Sequence, residues 1–243
     1  MSERQPNYEG KAKRIYATAD PDIVLVEFKD DATAFNAQKR DRISGKGEAN
    51  CAISAALFEL LEKAGIATHY LDRPAPDRLR ARSLQILPLE VIVRNIAAGS
   101  LCRQTGLAPG TVLPSPLVEF CYKNDELGDP LLTRDRLLLL ELATPAQLQQ
   151  IEQVTLQIER HLRGFFERCG IDLVDFKLEF GLDRDGTLRL GDELSPDTCR
   201  LWARGETDPN ARVMDKDRFR HDLGHPELAY QQLRDRVLAQ TSG

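Results

Sequence analysis

The segment DFKLEFGLDRDGTLRLGDELSPD, residues 175–197, has the pattern of a strand hairpin with acidic side chains on one face. Apolar and charged residues alternate in its first half, so three charged side chains share a face: Asp175, Lys177 and Glu179. Asp185-Gly186 favours a two-residue turn, whose register would place Glu179 directly opposite Asp192. Facing carboxylates repel each other, and a hard divalent cation such as Mg²⁺ would relieve that repulsion. The alternative interpretation is a solvated hairpin face on which Lys177 offsets the acids.

Two lysines near the N-terminus have the spacing to hold phosphate oxygens. In YEGKAKRIY, residues 8–16, Gly10 permits a tight backbone approach. Lys11 and Lys13 would leave the same face of an incipient strand and act as point charges. The phosphate-loop pattern GxxxxGK[ST] is absent from the sequence. The alternative interpretation is a basic edge strand.

A third segment, LEVIVRNIAAGS, residues 89–100, combines a strand with an anion-binding turn. Glu90 and Arg94 share one strand face, and a guanidinium can make bidentate contacts with phosphate or carboxylate. The turn that follows offers backbone N–H groups and the hydroxyl of Ser100. The alternative is an internal ion pair between Glu90 and Arg94.

Two charged segments near the C-terminus, SPDTCRLW (195–202) and MDKDRFR (214–220), are punctuated by large apolar residues. Polar groups held on anchored loops are typical of substrate sites. A charged, solvated surface is the alternative interpretation of either segment.

The elements that must position these residues mix strands and helices. Strands are predicted at 14–17, 23–28, 66–71, 89–95, 172–181 and 187–193. Helices are predicted from about 53 to 64, from Thr144 with a capping box to Gly170, and at 226–239. The segment 97–135 reads as irregular and is too long for a simple connection. The order favours α+β, or α/β with antiparallel hairpins.

Composition excludes several classes of function. Among 243 residues, 33 Lys and Arg stand against 38 Asp and Glu, a net charge of −5 without a basic tail or stripe, so nucleic acid is disfavoured. No segment approaches the roughly 20 apolar residues that a membrane helix requires. The five cysteines are scattered, which fits reduced thiols. We expect a soluble, cytoplasmic protein.

Six segments in order resemble the SAICAR synthetase (phosphoribosylaminoimidazole-succinocarboxamide synthase) family: YEGKAKRIY, GKGEAN, PLEVIVRNIAAGSL, LVDFKLEFG, LGDELSPDTCRLW and MDKDRFR. The resemblance runs from Tyr8 through Leu223. It implies a two-lobed α+β fold related to ATP-grasp enzymes and protein kinases, with antiparallel sheets and flanking helices. We therefore expect a nucleotide-binding lobe at 1–85. A second lobe at 86–243 would carry the metal site, the ribotide site and a terminal helix.

The resemblance also implies roles for individual residues. The positions that match nucleotide contacts are Lys11, Ala12, Lys13, Glu90, Glu179 and Asp192, the last two being the Mg²⁺ carboxylates. The positions that match substrate contacts are Arg94, Ser100, Asp129, Asp197, Arg200, Lys216 and Arg220. Asp175 and Lys177 match pocket positions to which we assign a catalytic role. Asn36 stands where family members commonly have Asp, so a metal or carboxylate bound there would meet a neutral ligand.

The activity implied by the resemblance joins L-aspartate to carboxyaminoimidazole ribotide (CAIR) in purine biosynthesis. The carboxylate of CAIR attacks the γ-phosphate of ATP, and the amine of aspartate then displaces phosphate from the acyl phosphate. Such chemistry requires positioning and charge neutralisation rather than a protein nucleophile. The implied partners are these small molecules and Mg²⁺, without nucleic acid or membrane. A homodimer is an assembly that the resemblance allows.

Two other functions would use some of the same residues. A kinase needs the same phosphate and metal ligands, but the sequence has neither an HRD nor a DFG segment. A non-catalytic nucleotide-binding or scaffold protein would retain its function when Glu179 or Asp192 is replaced. The sequence has no GxSxG elbow, and its four histidines do not cluster as a triad or zinc site requires.

Overall fold

Residues 5–34 and 38–241 are described by the computed structural model, and they form fifteen strands and six α-helices. The strands are β1 (Tyr8–Glu9), β2 (Lys13–Ala17), β3 (Ile23–Phe28), β4 (Asp31–Ala34), β5 (Lys39–Arg42), β6 (Tyr70–Ala75), β7 (Arg78–Arg82), β8 (Gln85–Ile86), β9 (Leu89–Ile96), β10 (Val112–Tyr122), β11 (Leu131–Leu132), β12 (Ile171–Leu178), β13 (Phe180–Leu182), β14 (Leu188–Leu190) and β15 (Cys199–Ala203). The helices are α1 (Lys46–Lys63), α2 (Gly99–Thr105), α3 (Arg134–Leu139), α4 (Pro145–Arg168), α5 (Asp217–Arg220) and α6 (Pro226–Thr241). The predicted α+β class is confirmed.

Two antiparallel five-stranded sheets dominate the fold. The first has the order β1-β2-β3-β7-β6, and the second has the order β11-β10-β9-β12-β15. A three-stranded sheet, β14-β13-β8, and a two-stranded sheet, β4-β5, complete the described strands. The predicted hairpin of β2 and β3 is confirmed, with Lys13 opposite Phe28 and Ala17 opposite Val24.

The register of the β13-β14 hairpin differs by one residue from the prediction. Phe180 pairs with Leu190, and the amide of Gly191 donates 2.8 Å to the carbonyl of Glu179, so Glu179 lies opposite Gly191 rather than Asp192. The predicted two-residue turn is wrong because residues 184–186 form a three-residue loop, in which Gly186 takes a φ of +78°. The carboxylate of Asp183 stabilises this longer loop by accepting from two backbone amides.

Three strands of the second sheet, β10, β11 and β15, were not predicted. Strand β10 occupies part of the segment 97–135 that reads as irregular, because Pro114 and Pro116 disguise its alternation. In the described sheet, β11 pairs with β10 only at Phe120 and Cys121, so β10 is an edge strand at Pro114 and Pro116. Prolines are tolerated on an edge strand. Strand β15 lies in the segment after residue 193 that appeared loop-rich.

Of the three predicted helices, α4 and α6 begin within one residue of the predicted start and α1 does not, whereas α2, α3 and α5 were not predicted. At the start of α4 the hydroxyl of Thr144 accepts from the amide of Gln147 at 3.2 Å, and the Gln147 side chain accepts from the amide of Thr144 at 2.8 Å. The predicted capping box is therefore confirmed. Helix α1 begins at Lys46, seven residues before the predicted start, since 53 − 46 = 7.

A continuous apolar core joins the two large sheets. It includes residues of β3, α1, β9, α4 and β12, among them Phe28, Phe58, Val93, Phe165 and Phe176. Strand β8, at the predicted lobe boundary, pairs with β13 of the C-terminal part. The division into lobes at residue 85 stays a prediction. None of the described helices combines the length and apolar character needed to cross a bilayer.

Candidate active site

Four of the charged side chains singled out in the sequence, those of Glu90, Arg94, Asp175 and Lys177, lie on one face of the second sheet. Strand pairing places Asp175 of β12 between Arg94 of β9 and Arg200 of β15, and Lys177 opposite Ile92. Because side chains alternate along a strand, Glu90 and Arg94 share the face that carries Asp175 and Lys177. Arg94 pairs with Glu119 of β10 and Asp175 of β12, and Glu90 pairs with Lys177 of β12. The alternative arrangement, an ion pair between Glu90 and Arg94, is therefore not the one observed.

Four carboxylates and three ammonium groups form a first group, which we call the carboxylate cluster: Glu90, Glu179, Asp192, Glu193, Lys13, Lys123 and Lys177. The Lys177 ammonium lies 2.6 Å from Glu90 and 3.1 Å from Glu179. Lys13 contacts Asp192 and lies 3.0 Å from Glu193. Glu179 is buried. The alternative interpretation of this segment, a solvated hairpin face, is therefore wrong.

The charge balance of the carboxylate cluster favours a cation. Its formal charge is −1, since three positive charges stand against four negative ones. Burial alone would raise the pKa of Asp192, yet Lys13 and Lys177 hold it well below its usual range. Burial alone would lower the pKa of Lys177, but Asp192, Glu179 and Glu90 raise it above its ordinary value. These groups are therefore charged at neutral pH.

Asp192 has an unusual backbone conformation, and the pKa of the nearby His69 depends on burial and then on the charges of Lys13 and Asp192. This residue has a φ of +59°, in the left-handed region that costs energy for a side chain with a Cβ atom. The buried ring of His69 packs edge-on against Phe58, and its Nε2 has no hydrogen-bond partner among the described residues. Burial, followed by the charge of Lys13, lowers the pKa of His69 to about 4.

The lysines of YEGKAKRIY have different surroundings. Lys13 is the first residue of β2 and belongs to the carboxylate cluster. Lys11 lies in the turn between β1 and β2 rather than on a strand face, with its side chain 53% exposed and 3.5 Å from Asp125. The carbonyl of Ala12 accepts from the amide of Lys29 at 2.8 Å, which fixes this turn on β3.

A second group, which we call the guanidinium cluster, alternates arginines and acids: Arg94, Ser100, Glu119, Asp175, Arg200, Asp217 and Arg220. The guanidinium of Arg94 donates to Glu119 at 2.5 Å, Asp175 at 3.1 Å and Ser100 at 2.9 Å. Burial raises the pKa of Asp175 although Arg200 and Arg94 attract its ionised form. The planar fork of each arginine is thus held in a fixed orientation.

Arg200 crosses over the start of α2. It donates to Asp175 and Asp217, each at 2.7 Å, and its guanidinium passes close to Gly99. A Cβ atom at Gly99 would lie 2.7 Å from an Arg200 nitrogen, and Gly99 has a φ of +54°. Arg220 is drawn to the same place by a 2.6 Å bond to Asp217. The structure therefore brings together Arg94, Ser100, Asp175, Arg200 and Arg220.

Asp197 has partners of its own. Its carboxylate lies 2.8 Å from the Lys46 ammonium and 3.6 Å from that of Lys216, and it accepts 2.7 Å from the Tyr230 hydroxyl. Lys46 and Tyr230 were missed in the sequence analysis, although Lys46 belongs to the GKGEAN segment. Glu193, Lys123, Glu119 and Asp217 were missed as well.

Asp129 has no described contact with either cluster. Asp129 has a φ of +50°, and its carboxylate accepts 2.8 Å from the amide of Asn124, which stabilises the loop after β10. Its role in the pocket stays a prediction. Asn36 lies outside the described residues.

Comparison with known proteins identifies the family. The family model described as SAICAR synthetase matches residues 6–237. The phosphoribosylaminoimidazole-succinocarboxamide synthase of Cyanothece sp. is 66% identical over 233 residues, covering 96% of each chain. This chain belongs to the SAICAR synthetase family. The predicted family resemblance is confirmed.

Solved SAICAR synthetases share the fold over nearly the whole chain. The enzyme from Ehrlichia chaffeensis superposes with a TM-score of 0.92 at 40% identity and covers 97% of this chain and 99% of its own. A second SAICAR synthetase, solved in complex with ADP, has a TM-score of 0.91 at 43% identity, covering 96% and 97%. The predicted SAICAR synthetase-like fold is confirmed.

Proposed function

We propose that this protein ligates L-aspartate to CAIR with ATP, giving SAICAR, ADP and phosphate in purine biosynthesis. The observation that carries the proposal is that two unlike clusters adjoin along strands β9 and β12, in a chain of the SAICAR synthetase family. The carboxylate cluster is suited to a metal nucleotide, and the guanidinium cluster to a phosphorylated substrate. A relative solved with ADP supports nucleotide binding.

ATP and Mg²⁺ would occupy the carboxylate cluster. Its donors are carboxylate oxygens, its formal charge is negative, and Asp192 is ionised, so the residues fit a hard cation. Glu179 and Asp192 would hold the ion, which would supply charge neutralisation at the phosphate oxygens. Lys11, Ala12 and Lys13 would lie along the phosphates, and Glu90 beside the nucleoside.

CAIR would be held through its phosphate by Arg94, Ser100 and Arg200. Each guanidinium has five N–H donors, and the described acids occupy only some of them. Asp175 and Lys177, two residues apart on β12, link the two clusters. They would orient the CAIR carboxylate towards the γ-phosphate, and Asp129 would line the same pocket.

The reaction needs no covalent bond to the protein. An oxygen of the CAIR carboxylate attacks the γ-phosphorus, the bond to the β-γ bridging oxygen breaks, and ADP leaves. The aspartate amine then attacks the acyl carbon and loses a proton, and phosphate departs with the oxygen it received. Lys13 and Lys177, both charged at neutral pH, would offset the charge that develops on the phosphoryl oxygens.

We also propose that the protein acts in the cytoplasm, where its small soluble substrates are found, and that it forms a homodimer. Lys216 and Arg220 would add positive charge for the amino acid.

An ADP-release assay tests the function. ATP, Mg²⁺ and CAIR are supplied with and without L-aspartate, and then with a chelator. We expect steady ADP release only when aspartate and Mg²⁺ are both present. Aspartate-independent ADP formation would favour the kinase alternative. The absence of any turnover would favour a non-catalytic nucleotide-binding protein.

A further inference from the structure

The charged ammonium group of Lys46 is entirely buried, in a position that is electrostatically unfavourable for a cation. Lys46 is the first residue of α1, where the helix dipole is positive, and its side chain is 0% exposed. The N-cap, Gly45, offers no side-chain hydrogen bond. A buried charge persists only where a counter-ion compensates for lost hydration. For Lys46 that counter-ion is Asp197, at 2.8 Å.

Asp197 is shared between two lysines. The same carboxylate oxygen, Oδ2, lies 2.8 Å from Lys46 and 3.6 Å from Lys216, and the other oxygen accepts from Tyr230. Burial alone would raise the pKa of Asp197, yet Lys46, followed by Lys216, holds it well below its usual range. One carboxylate thus faces two ammonium groups, and the nearer one is Lys46.

An apolar cluster keeps this arrangement dry. Ala32 and Ala34 of β4, Ala49 of α1, Phe219 of α5 and Tyr230 of α6 pack together with Ile43, and the Tyr230 hydroxyl joins this cluster to Asp197. Elements from both ends of the chain therefore enclose Lys46. In such surroundings an unpaired charge on Asp197 would strongly attract any remaining cation.

Lys216 is the second cation beside Asp197, and its ammonium group is the one that can contact a ligand. Its backbone amide donates 3.0 Å to the carbonyl of Pro196, and it stands one residue before Asp217 of the guanidinium cluster. Its side chain is 13% exposed, so unlike Lys46 it can reach a ligand. Arg94 and Arg200 are assigned to the ribotide phosphate, and Lys13 to the nucleotide. Lys216 and Arg220 are then left for the two carboxylates of L-aspartate.

We propose that Lys46 is a positioning residue, which neutralises Asp197 so that the ammonium of Lys216 stays available to a carboxylate of the amino-acid substrate. The proposal rests on the function proposed above and assigns Asp197 to holding lysines rather than to contacting substrate. Without Lys46, Asp197 would have Lys216 as its nearest cation. The 3.6 Å contact would then close, and Lys216 would be withdrawn from the substrate.

The test compares Lys46→Met with the double variant Lys46→Met/Asp197→Asn. We expect Lys46→Met to raise the KM for L-aspartate about tenfold while the KM for ATP stays within about twofold. In the double variant no charge captures Lys216, so the KM for L-aspartate should return to within about threefold of the original value. Lys63→Met, at the exposed end of the same helix, is the matched control and should change neither constant.

Three outcomes would overturn the inference. One is a Lys46→Met protein with an unchanged KM for L-aspartate, and another is an increase shared equally by ATP. The third is a folded double variant with a KM as high as that of the single variant, which would show that Asp197 itself contacts substrate. If Lys46→Met fails to fold, the double variant, which lacks both buried charges, still decides between these roles. An unmodified protein without aspartate-dependent ADP release would instead refute the proposed function.

Discussion

The ammonium nitrogen of Lys177 on β12 lies 2.6 Å from a carboxylate oxygen of Glu90 on β9. The same nitrogen is 3.1 Å from Glu179, the residue after β12, so one cation joins two acids. Lys177 is therefore charged and held between two acids, which suits the role proposed for it beside the transferring phosphoryl group.

Replacing Glu179 should separate catalysis from folding. In Glu179→Gln, Lys177 keeps Glu90 as a partner and the half-exposed Lys123 turns to water, so the fold should persist. The loss of a metal carboxylate should lower kcat about a hundredfold or more, with little change in the KM for CAIR. Steady-state ADP release and thermal unfolding measure the two effects. Glu126→Gln, an exposed change of the same kind, should alter neither, whereas a fully active Glu179→Gln enzyme would refute the metal role.

Arg94→Lys should weaken ribotide binding. Lysine keeps the charge, but its single ammonium nitrogen cannot replace the three separate guanidinium nitrogens that contact Glu119, Asp175 and Ser100. We expect the KM for CAIR to rise about tenfold and the free energy of unfolding to fall by about 2 kcal/mol. Initial rates at varied CAIR and urea unfolding measure these changes. The exposed Arg204→Lys is the control, and a selective loss of ATP affinity in Arg94→Lys would reassign the residue.

Gly99→Ala should displace Arg200. The new Cβ atom would meet the guanidinium at 2.7 Å, on a backbone with a φ of +54°. We expect a higher KM for CAIR, an unchanged KM for ATP, and a loss of about 1 kcal/mol from the strained backbone. Gly186→Ala has a similar φ and no neighbouring atom within 4 Å. It should lose similar stability without any kinetic change, and equal KM values for CAIR in both variants would contradict the role of Arg200.

His69 should make the protein sensitive to acid. Burial lowers its pKa to about 4 from an ordinary 6.5. Between pH 4 and pH 6.5 the imidazole is therefore protonated in the unfolded chain but neutral in the folded protein. Its stabilising contribution is present above pH 6.5 and is lost as the pH falls towards 4, by about 3 kcal/mol. Urea unfolding from pH 7.5 to 4.5 measures this loss. His69→Gln should flatten the profile and the exposed His161→Gln should not; parallel profiles for both would contradict the assignment.

Local signals predicted much of the site. The alternation around Asp175, Lys177 and Glu179 and the capping box at Thr144 depend on neighbouring residues, and both are confirmed. The β13-β14 register was off by one because the Asp183 side chain stabilises a longer loop than Asp185-Gly186 suggests.

Contacts between distant segments could not be predicted. The neighbours of Asp197 come from α1, α6 and the segment before α5, and no local pattern joins Lys46 to Tyr230. The row of Arg94, Asp175 and Arg200 likewise depends on which strands become neighbours in the sheet. Periodicity shows the face of a strand but not its partners.

The transfer of oxygen from CAIR to phosphate tests the central claim most directly. CAIR labelled with ¹⁸O in both carboxylate oxygens is turned over with ATP, Mg²⁺ and L-aspartate, and the phosphate released is examined by mass spectrometry. Because the carboxylate attacks the γ-phosphate, one labelled oxygen should appear in phosphate for each SAICAR formed. Unlabelled phosphate accompanying SAICAR would contradict the acyl-phosphate route.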